Sequence, residues 1–421
     1  MATARIISGT ATAVPWRIGR FSLFGAVQLV FWRKLIYGLL QCNVTGERDM
    51  NFVGGHGSIE QSYLRAGYNA PFTVPAKIRS RAPLRLGLAG GGTDVSPYTE
   101  DFGGAVLNAT IDRYAFAFIE PSPDWKIHFV ANDLGVEECW PLDIDALDGS
   151  NLRLHAAVYR RMVRSFGGGR PLAIKVTTMV DAPAGSGLGS SSALVVALVE
   201  AFRSILSLPL GPYDIAQLAF EIERVDLALP GGRQDQYAAS FGGLNYIEFM
   251  QNGRVIVNPL RISRDFLNEL EASLITCFSG VSRQSETIIQ EQQRGMSARS
   301  AKTLDALHQL KVDASEMKSA LLRADIGEMA TVLERSWAAK KETAAAVSTS
   351  DIERLMQVGL DAGALAGKVS GAGGGGFVMF LARPENRLRI VQALNAAGAQ
   401  ASGAQLTING AESWAAPILS S

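Results

Sequence analysis

The sequence has few of the residues that build metal centres and disulfide frameworks. Its 421 residues include three cysteines, Cys42, Cys139 and Cys277, which stand far apart and form no CxxC pair. This spacing argues against a zinc site or a disulfide framework, and it is typical of a protein of the reducing cytoplasm. The four histidines are equally scattered, at His56, His128, His155 and His308. We expect them to pack or to face solvent rather than to bind a metal.

The chain also lacks an excess of either charge and an apolar run long enough to span a membrane. Lys plus Arg and Asp plus Glu both number 40. No global field therefore favours nucleic acid, and any anion site must be local. The apolar segment at residues 19–41 is interrupted by Arg33 and Lys34, and its unbroken runs fall short of the ~20 residues of a spanning helix. Membrane contact is expected at most through an interfacial helix there, and we interpret residues 1–70 as an extension of unknown role.

The chain has no Walker A lysine, although it has a glycine-rich loop. Residues 181–193 read Asp-Ala-Pro-Ala-Gly-Ser-Gly-Leu-Gly-Ser-Ser-Ser-Ala, after a strand-like segment at 172–180 and before a helical one at 193–202. A strand, a glycine loop and a helix N-terminus in this order make an anion site from free backbone amides and the helix dipole. The alternative is a tight turn capped by Ser190. If the anion is a phosphate, one hydroxyl of the serines at 190–192 is placed to reach Mg²⁺.

Carboxylates that suit phosphoryl transfer follow this loop. Glu223 lies in a helical segment at residues 213–229, and Asp235 follows in Gly-Gly-Arg-Gln-Asp-Gln. Transfer to an alcohol needs positioned phosphates, a magnesium ion and a carboxylate near the acceptor hydroxyl. Arg85 interrupts an apolar strand, and a buried arginine needs a carboxylate partner, for which Asp235 is our candidate. The alternatives are a solvated pair of Glu223 with Arg224, an N-cap role for Asp235, and a solvent-facing Arg85.

A last glycine stretch, at residues 368–376, argues against a dehydrogenase. Gly371, Gly373 and Gly376 formally satisfy G-x-G-x-x-G. The loop precedes a strand rather than a helix, however, and no acidic residue follows about 20 positions later, as a dinucleotide site requires.

Periodicity predicts an α+β chain in two lobes. Strands are predicted at residues 78–89, 105–112, 114–120 and, near the end, 404–408. From about residue 260 the character changes, and residues 284–366 are mostly helical. Strands and helices mixed without a regular βαβ repeat favour this class over a parallel α/β sheet.

Three stretches, taken together and in this order, resemble the motifs of the GHMP kinase superfamily. They are residues 82–94, 183–193 and 368–376, and the resemblance covers roughly residues 75–421. Within the superfamily the first motif, followed by residues 103–114, is most similar to the D-glycero-D-manno-heptose 7-phosphate kinases.

The resemblance implies a ribosomal S5 domain 2-like N-terminal lobe, at residues 71–260, and a ferredoxin-like C-terminal lobe, at residues 261–421. It implies a kinase that uses ATP and Mg²⁺ to phosphorylate the anomeric hydroxyl of a heptose 7-phosphate. The product would be the 1,7-bisphosphate, for nucleotide-activated heptose and surface polysaccharide. The alternative is another sugar kinase, for fucose, galactose or a hexosamine. A non-catalytic sugar sensor should have lost a catalytic side chain, whereas this chain retains Arg85, Ser191, Glu223 and Asp235.

The resemblance also implies a role for each site residue. Asp235 matches the aspartate that polarises or deprotonates the sugar hydroxyl, and Arg85 matches the arginine paired with it. Ser191 and Glu223 match the magnesium ligands. The ATP-phosphate loop comprises Gly185, Ser186, Gly187, Leu188, Gly189, Ser190, Ser191 and Ser192. The acceptor side comprises Gly91, Gly92, Thr93, Asp94, Gly371, Ala372, Gly373, Gly374 and Arg283.

Departures from the superfamily pattern point to an acceptor other than galactose. Galactokinases carry Gly-Glu-His where this chain has three glycines at residues 90–92, which removes two polar sugar contacts and leaves room for a bulkier sugar. Arg283 is our candidate for binding the 7-phosphate, because arginine holds phosphate bidentately. An exposed arginine before a helix is the alternative.

Replacing Arg283 by alanine tests this assignment. Because the guanidinium is expected to bind the phosphate of the sugar, R283A should raise KM for a phosphorylated sugar far more than KM for ATP. Steady-state kinetics with each substrate varied in turn measures both values. Equal effects on the two KM values would remove the assignment.

Overall fold

The computed structural model describes residues 77–281 and 285–417. The strands of this part of the chain are β1 (Ile78–Ala89), β2 (Gly104–Pro121), β3 (Ile127–Ala131), β4 (Val136–Trp140), β5 (Ile174–Val180), β6 (Leu244–Phe249), β7 (Val255–Pro259), β8 (Leu274–Phe278), β9 (Ala364–Val369), β10 (Phe377–Ala382), β11 (Gln400–Gly403) and β12 (Glu412–Ala415). Its α-helices are α1 (Tyr98–Phe102), α2 (Arg153–Phe166), α3 (Ser190–Ile205), α4 (Pro212–Glu221), α5 (Gln234–Phe241), α6 (Arg264–Ser273), α7 (Ser285–Ser297), α8 (Ala301–Leu322), α9 (Ile326–Lys341), α10 (Ser350–Asp361) and α11 (Arg387–Ala396).

The first sheet is organised around the long strand β2. Its strand order is β12-β1-β2-β5-β3-β4, and β6, itself paired with β7, pairs with β2 as well. All neighbours are antiparallel except β3 and β5. Helix α3 packs on β1 and β2, where the Ser80 hydroxyl donates to the Ala197 carbonyl at 2.6 Å. The helix that follows the glycine loop is therefore fixed to the strand that carries Arg85.

The second sheet has the antiparallel order β11-β8-β10-β9 and is buried on both faces. Phe377 and Met379 of β10 belong to the same apolar core as the first sheet, whereas Val378 and Phe380 pack with residues of α10 and α11. Burial on both faces explains why β10 is a continuous apolar run instead of an alternating one. Strand β12 returns to the first sheet beside β1, so the last part of the chain contributes to both sheets.

The predicted α+β class is confirmed, and so is β1, but several predicted bounds differ. The two strands predicted at residues 105–120 form the single strand β2. The strand predicted at residues 404–408 is wrong, because Leu406 makes only an isolated bridge and Ile408 is exposed. The last two strands of the described residues are β11 and β12 instead. The domain bounds at residues 70 and 260 stay predictions.

Within the described residues, no helix has the length and hydropathy needed to cross a membrane. The segment at residues 19–41, for which membrane contact is predicted, lies outside the described residues, and so does the predicted 1–70 extension.

Candidate active site

A cleft of about 460 Å³ collects residues from all three glycine-rich stretches. Among the side chains and backbone segments that line it are Arg85, Asp94, Ser191, Glu223, Asp235 and Gly371. Residues that are up to 286 positions apart in the chain thus face one space, as the sequence predicts for Arg85, Ser191, Glu223 and Asp235.

Arg85 and Asp235 form the expected ion pair at the centre of this cleft. The Arg85 Nε and Nη2 atoms both lie 2.7 Å from Asp235 Oδ1. Arg85 is 4% exposed, so the interpretation as a solvent-facing arginine is wrong. Its Nη1 atom donates to the Gly187 carbonyl at 2.5 Å and to Ser370 Oγ at 3.3 Å. One guanidinium therefore contacts both the loop at residues 181–193 and the loop at residues 368–376.

Ser191 and Glu223 bring two oxygen ligands together at the start of α3. The Ser191 Oγ atom donates to Glu223 Oε1 at 3.2 Å. Glu223 is 1% exposed, because α4 continues as a π-helical turn at Ile222–Asp226 that carries it inward. Gln236 Nε2 holds the other carboxylate oxygen at 2.5 Å. The cap of α3 is Gly189, not Ser190, and a hard-oxygen pair at this helix start suits Mg²⁺.

The loop at residues 90–94 divides between the cleft and the protein interior. Gly91, Gly92 and Asp94 line the cleft, and the Asp94 carboxylate accepts from the Gln234 side chain at 3.0 Å and from its backbone amide at 3.1 Å. Thr93 is fully buried and does not line the cleft, and its hydroxyl bonds to the backbone of Gly90 in the loop and of Ala105 in β2. The structure thus gives Thr93 a loop-shaping position rather than a place in the cleft.

The other predicted loop residues divide in the same way. Gly185, Gly187, Gly189, Ser190, Ser191, Ser192, Gly371 and Ala372 line the cleft. Ser186 and Leu188 are buried and do not line it, and neither do Gly373 and Gly374. The Leu188 carbonyl accepts from the Arg85 amide, and the Gly374 amide donates to Val347. Arg283 lies outside the described residues.

Two buried lysines were not predicted. Lys340, on α9, lines the cleft and donates from Nζ to the Gly91 carbonyl at 2.9 Å. Lys368, on β9, has its Nζ atom 3.4 Å from the carbonyls of Gly87 and Leu88 in β1. Burial lowers the pKa of Lys340 to about 8 and that of Lys368 to about 7. Lys340 stands in a Lys-Lys pair within a charged helix, a pattern that is typical of a solvated face, so no local signal marks it.

The fold and this site define a kinase of one family. Residues 153–243 match the GHMP kinases N terminal domain, and residues 317–400 match the GHMP kinases C terminal domain. A relative that is 44% identical over 338 residues covers 80% of the chain. The chain belongs to the GHMP kinase family, and it is a phosphotransferase with an alcohol group as acceptor.

The relatives are named kinases. The one just cited is the D-glycero-alpha-D-manno-heptose 7-phosphate kinase of Campylobacter jejuni subsp. jejuni serotype O:2, of which the chain covers 98%. A solved D-glycero-D-manno-heptose 1-phosphate kinase from Bacteriodes thetaiotaomicron is 42% identical, with a TM-score of 0.69 over 82% of this chain and 100% of that one. A mevalonate kinase that is 16% identical, with a TM-score of 0.63 over 78% of this chain and 98% of its own, shows the two-lobed fold alone.

Lys368 generates a prediction about stability and pH. Burial holds its folded pKa near 7, below the usual 10.5, so between these values the unfolded chain binds a proton that the folded chain does not. Stability should therefore rise with pH from about 7 to about 10.5, and the cost of the buried lysine is fully present below pH 7. K368M should flatten this slope. Urea unfolding at several pH values measures it, and an unchanged slope would contradict the prediction.

Gly371 generates a prediction about packing. A Cβ there would lie 2.7 Å from the Gly187 carbonyl oxygen, at a φ of +81°. Gly398 has a similar φ of +88° with nothing within 4 Å of its Cβ position, which makes it a matched control. G398A should cost about 1–2 kcal/mol of backbone strain, and G371A should cost roughly 1–3 kcal/mol more. Thermal unfolding compares the stability of the two variants. Equal losses of stability would contradict the prediction, because they would mean that the two loops move apart at no cost.

Proposed function

We propose that the protein is an ATP-dependent kinase that phosphorylates the anomeric hydroxyl of D-glycero-D-manno-heptose 7-phosphate. The product is the 1,7-bisphosphate, which serves the synthesis of nucleotide-activated heptose and surface polysaccharide. The observation that carries the reaction type is the Arg85–Asp235 pair beside Ser191 and Glu223 in one cleft. The 44% identity to a heptose 7-phosphate kinase supports the acceptor.

The start of α3 is the binding site for the ATP phosphates in this proposal. Backbone amides of the loop that ends at Gly189 and the positive end of the helix dipole face the cleft, and both attract phosphate. Ser191 and Glu223 would hold Mg²⁺, which when bound neutralises charge on the transferred phosphoryl group. Gln236 fixes the Glu223 carboxylate through its second oxygen. These groups position the donor without a lysine in the loop.

Asp235 is the residue that meets the acceptor hydroxyl. Its carboxylate is 22% exposed and faces the cleft, while Arg85 occupies one of its oxygens. This carboxylate either removes the hydroxyl proton or orients the hydroxyl while the proton leaves late in a loose transition state. Arg85 holds the carboxylate in place and lends positive charge to the reacting groups. The two roles of Asp235 predict different losses of kcat when its carboxylate is removed.

The variant D235N separates these roles. If Asp235 is the base, kcat should fall by roughly 10²–10⁴-fold, while KM for ATP stays within about twofold because the phosphate loop is unaltered. D145N is a matched control, since Asp145 pairs with Arg164 on the surface, 2.9 Å away. A D235N enzyme with near-normal kcat would sink the role as base and leave the orienting role.

A transfer assay tests the substrate. Purified protein with ATP and Mg²⁺ should phosphorylate the heptose 7-phosphate in preference to fucose, galactose and N-acetylhexosamines. Phosphorus NMR should find the new phosphate at the anomeric carbon. Faster transfer to one of the unphosphorylated sugars would overturn the proposed acceptor but not the class of enzyme.

A further inference from the structure

A series of contacts connects the phosphate loop with Lys340 in the cleft. Asp235 packs against Gly189 of that loop, and its neighbour Gln234 binds Asp94. Asp94 in turn accepts from the Gly92 amide at 3.1 Å, and the carbonyl of Gly91 accepts from Lys340. Asp235 and Lys340 both line the cleft. An acceptor whose hydroxyl meets Asp235 therefore shares the cleft with Lys340.

Lys340 is a cation of this cleft that forms no salt bridge within the described residues, whereas Arg85 and Arg224 are each paired with a carboxylate. Among the described residues, Arg85, Arg224 and Lys340 supply the cations of the lining. Arg85 is bound to Asp235, and Arg224 contacts the Gly232 carbonyl at 3.3 Å and Glu223 at 3.7 Å. The Lys340 ammonium has three N–H donors and one acceptor within the described residues, the Gly91 carbonyl.

The burial of Lys340 shows that this charge is held at a cost. The residue is 3% exposed, and a buried ammonium without a hydrogen-bonded anion is unfavourable. Asp94 is the negative group that acts on it, but the Asp94 carboxylate accepts hydrogen bonds from Gln234 and Gly92, and the Lys340 ammonium donates to the Gly91 carbonyl instead. The cost is offset when an anionic ligand brings its own acceptors to the two remaining donors.

Gly92 is the residue that makes room for this ammonium. A Cβ at Gly92 would lie 3.2 Å from Lys340 Nζ and 3.4 Å from Leu307 Cδ2, at a φ of +110°. A side chain at this position would therefore press on the end of Lys340. The absence of a side chain at Gly92 leaves the space, and the ammonium group of Lys340 from α9 occupies it.

We propose that Lys340, admitted by Gly92, binds the phosphate group that the acceptor already carries. This proposal rests on the proposed function and deepens it, because it names a group that selects a phosphorylated sugar over a neutral one. The phosphate lies at the end of the acceptor remote from the transferred group. Its oxygens accept hydrogen bonds from the Lys340 N–H donors that the Gly91 carbonyl does not take.

The experiment compares the wild type with K340M and K341M. Each is assayed with heptose 7-phosphate and with the unphosphorylated heptose, and sugar-phosphate binding without ATP is measured by calorimetry. K340M should raise KM and Kd for the sugar phosphate by about ten- to a hundredfold, the range of a charge-assisted hydrogen bond. Its KM for ATP should stay within about twofold, and its preference for the phosphorylated sugar should largely vanish. K341M should match the wild type, since Lys341 bonds to Glu353 outside the cleft.

A second variant covers the case in which K340M does not fold. G92A leaves the lysine in the chain but displaces its ammonium, and it should weaken sugar-phosphate binding in the same direction. Undiminished discrimination by K340M or by G92A overturns the role of Lys340 and leaves the proposed function standing. A wild type that prefers an unphosphorylated sugar overturns both. If the wild type prefers a different sugar phosphate, the proposed heptose is wrong, and the same variants assayed on that acceptor decide the role of Lys340.

Discussion

The buried ion pair between Arg85 and Asp235 is the constraint on which the rest of the site depends. Arg85 reaches Asp235, Gly187 and Ser370 from one strand, so the loops around it must approach closely by their backbones. Burying such a pair is close to neutral for stability, since desolvation offsets much of the attraction. Its value is positional, because it holds the Asp235 carboxylate in the cleft beside Gly189 of the glycine-serine loop.

Around this pair the proposed chemistry uses two kinds of anion recognition. At the start of α3, backbone amides and the oxygens of Ser191 and Glu223 are the proposed contacts of the phosphoryl donor. The proposed contact of the acceptor phosphate is the ammonium of Lys340, which bonds to a loop that has three glycines at residues 90–92. Backbone amides suit the many oxygens of a triphosphate, whereas one point charge suits one phosphate on a small sugar.

The parts of this site that could be predicted are those with a local chemical signature. The glycine-serine loop precedes a helix, and an arginine interrupts an apolar strand, so Arg85 and Ser191 stand out from their neighbours. The pairing of Arg85 with Asp235 followed from the cost of burying an unpaired charge. By contrast, Leu188 and Thr93 lie in the predicted motifs but are buried and do not line the cleft, because a loop that lines a cleft also needs residues that anchor it.

The sequence by itself determined the α+β class, the family resemblance, the glycine-serine loop that lines the cleft, and the four polar residues that converge on it. These follow from local patterns and from charges that must be paired. Only the tertiary structure decided that β12 returns to the first sheet, that a π-turn buries Glu223, and that Lys340 reaches Gly91. These features depend on contacts between distant residues, and the Lys340 nitrogen meets a carbonyl 249 positions earlier in the chain. No local pattern encodes such a contact, because the space for it exists only once α9 has packed beside the glycine loop.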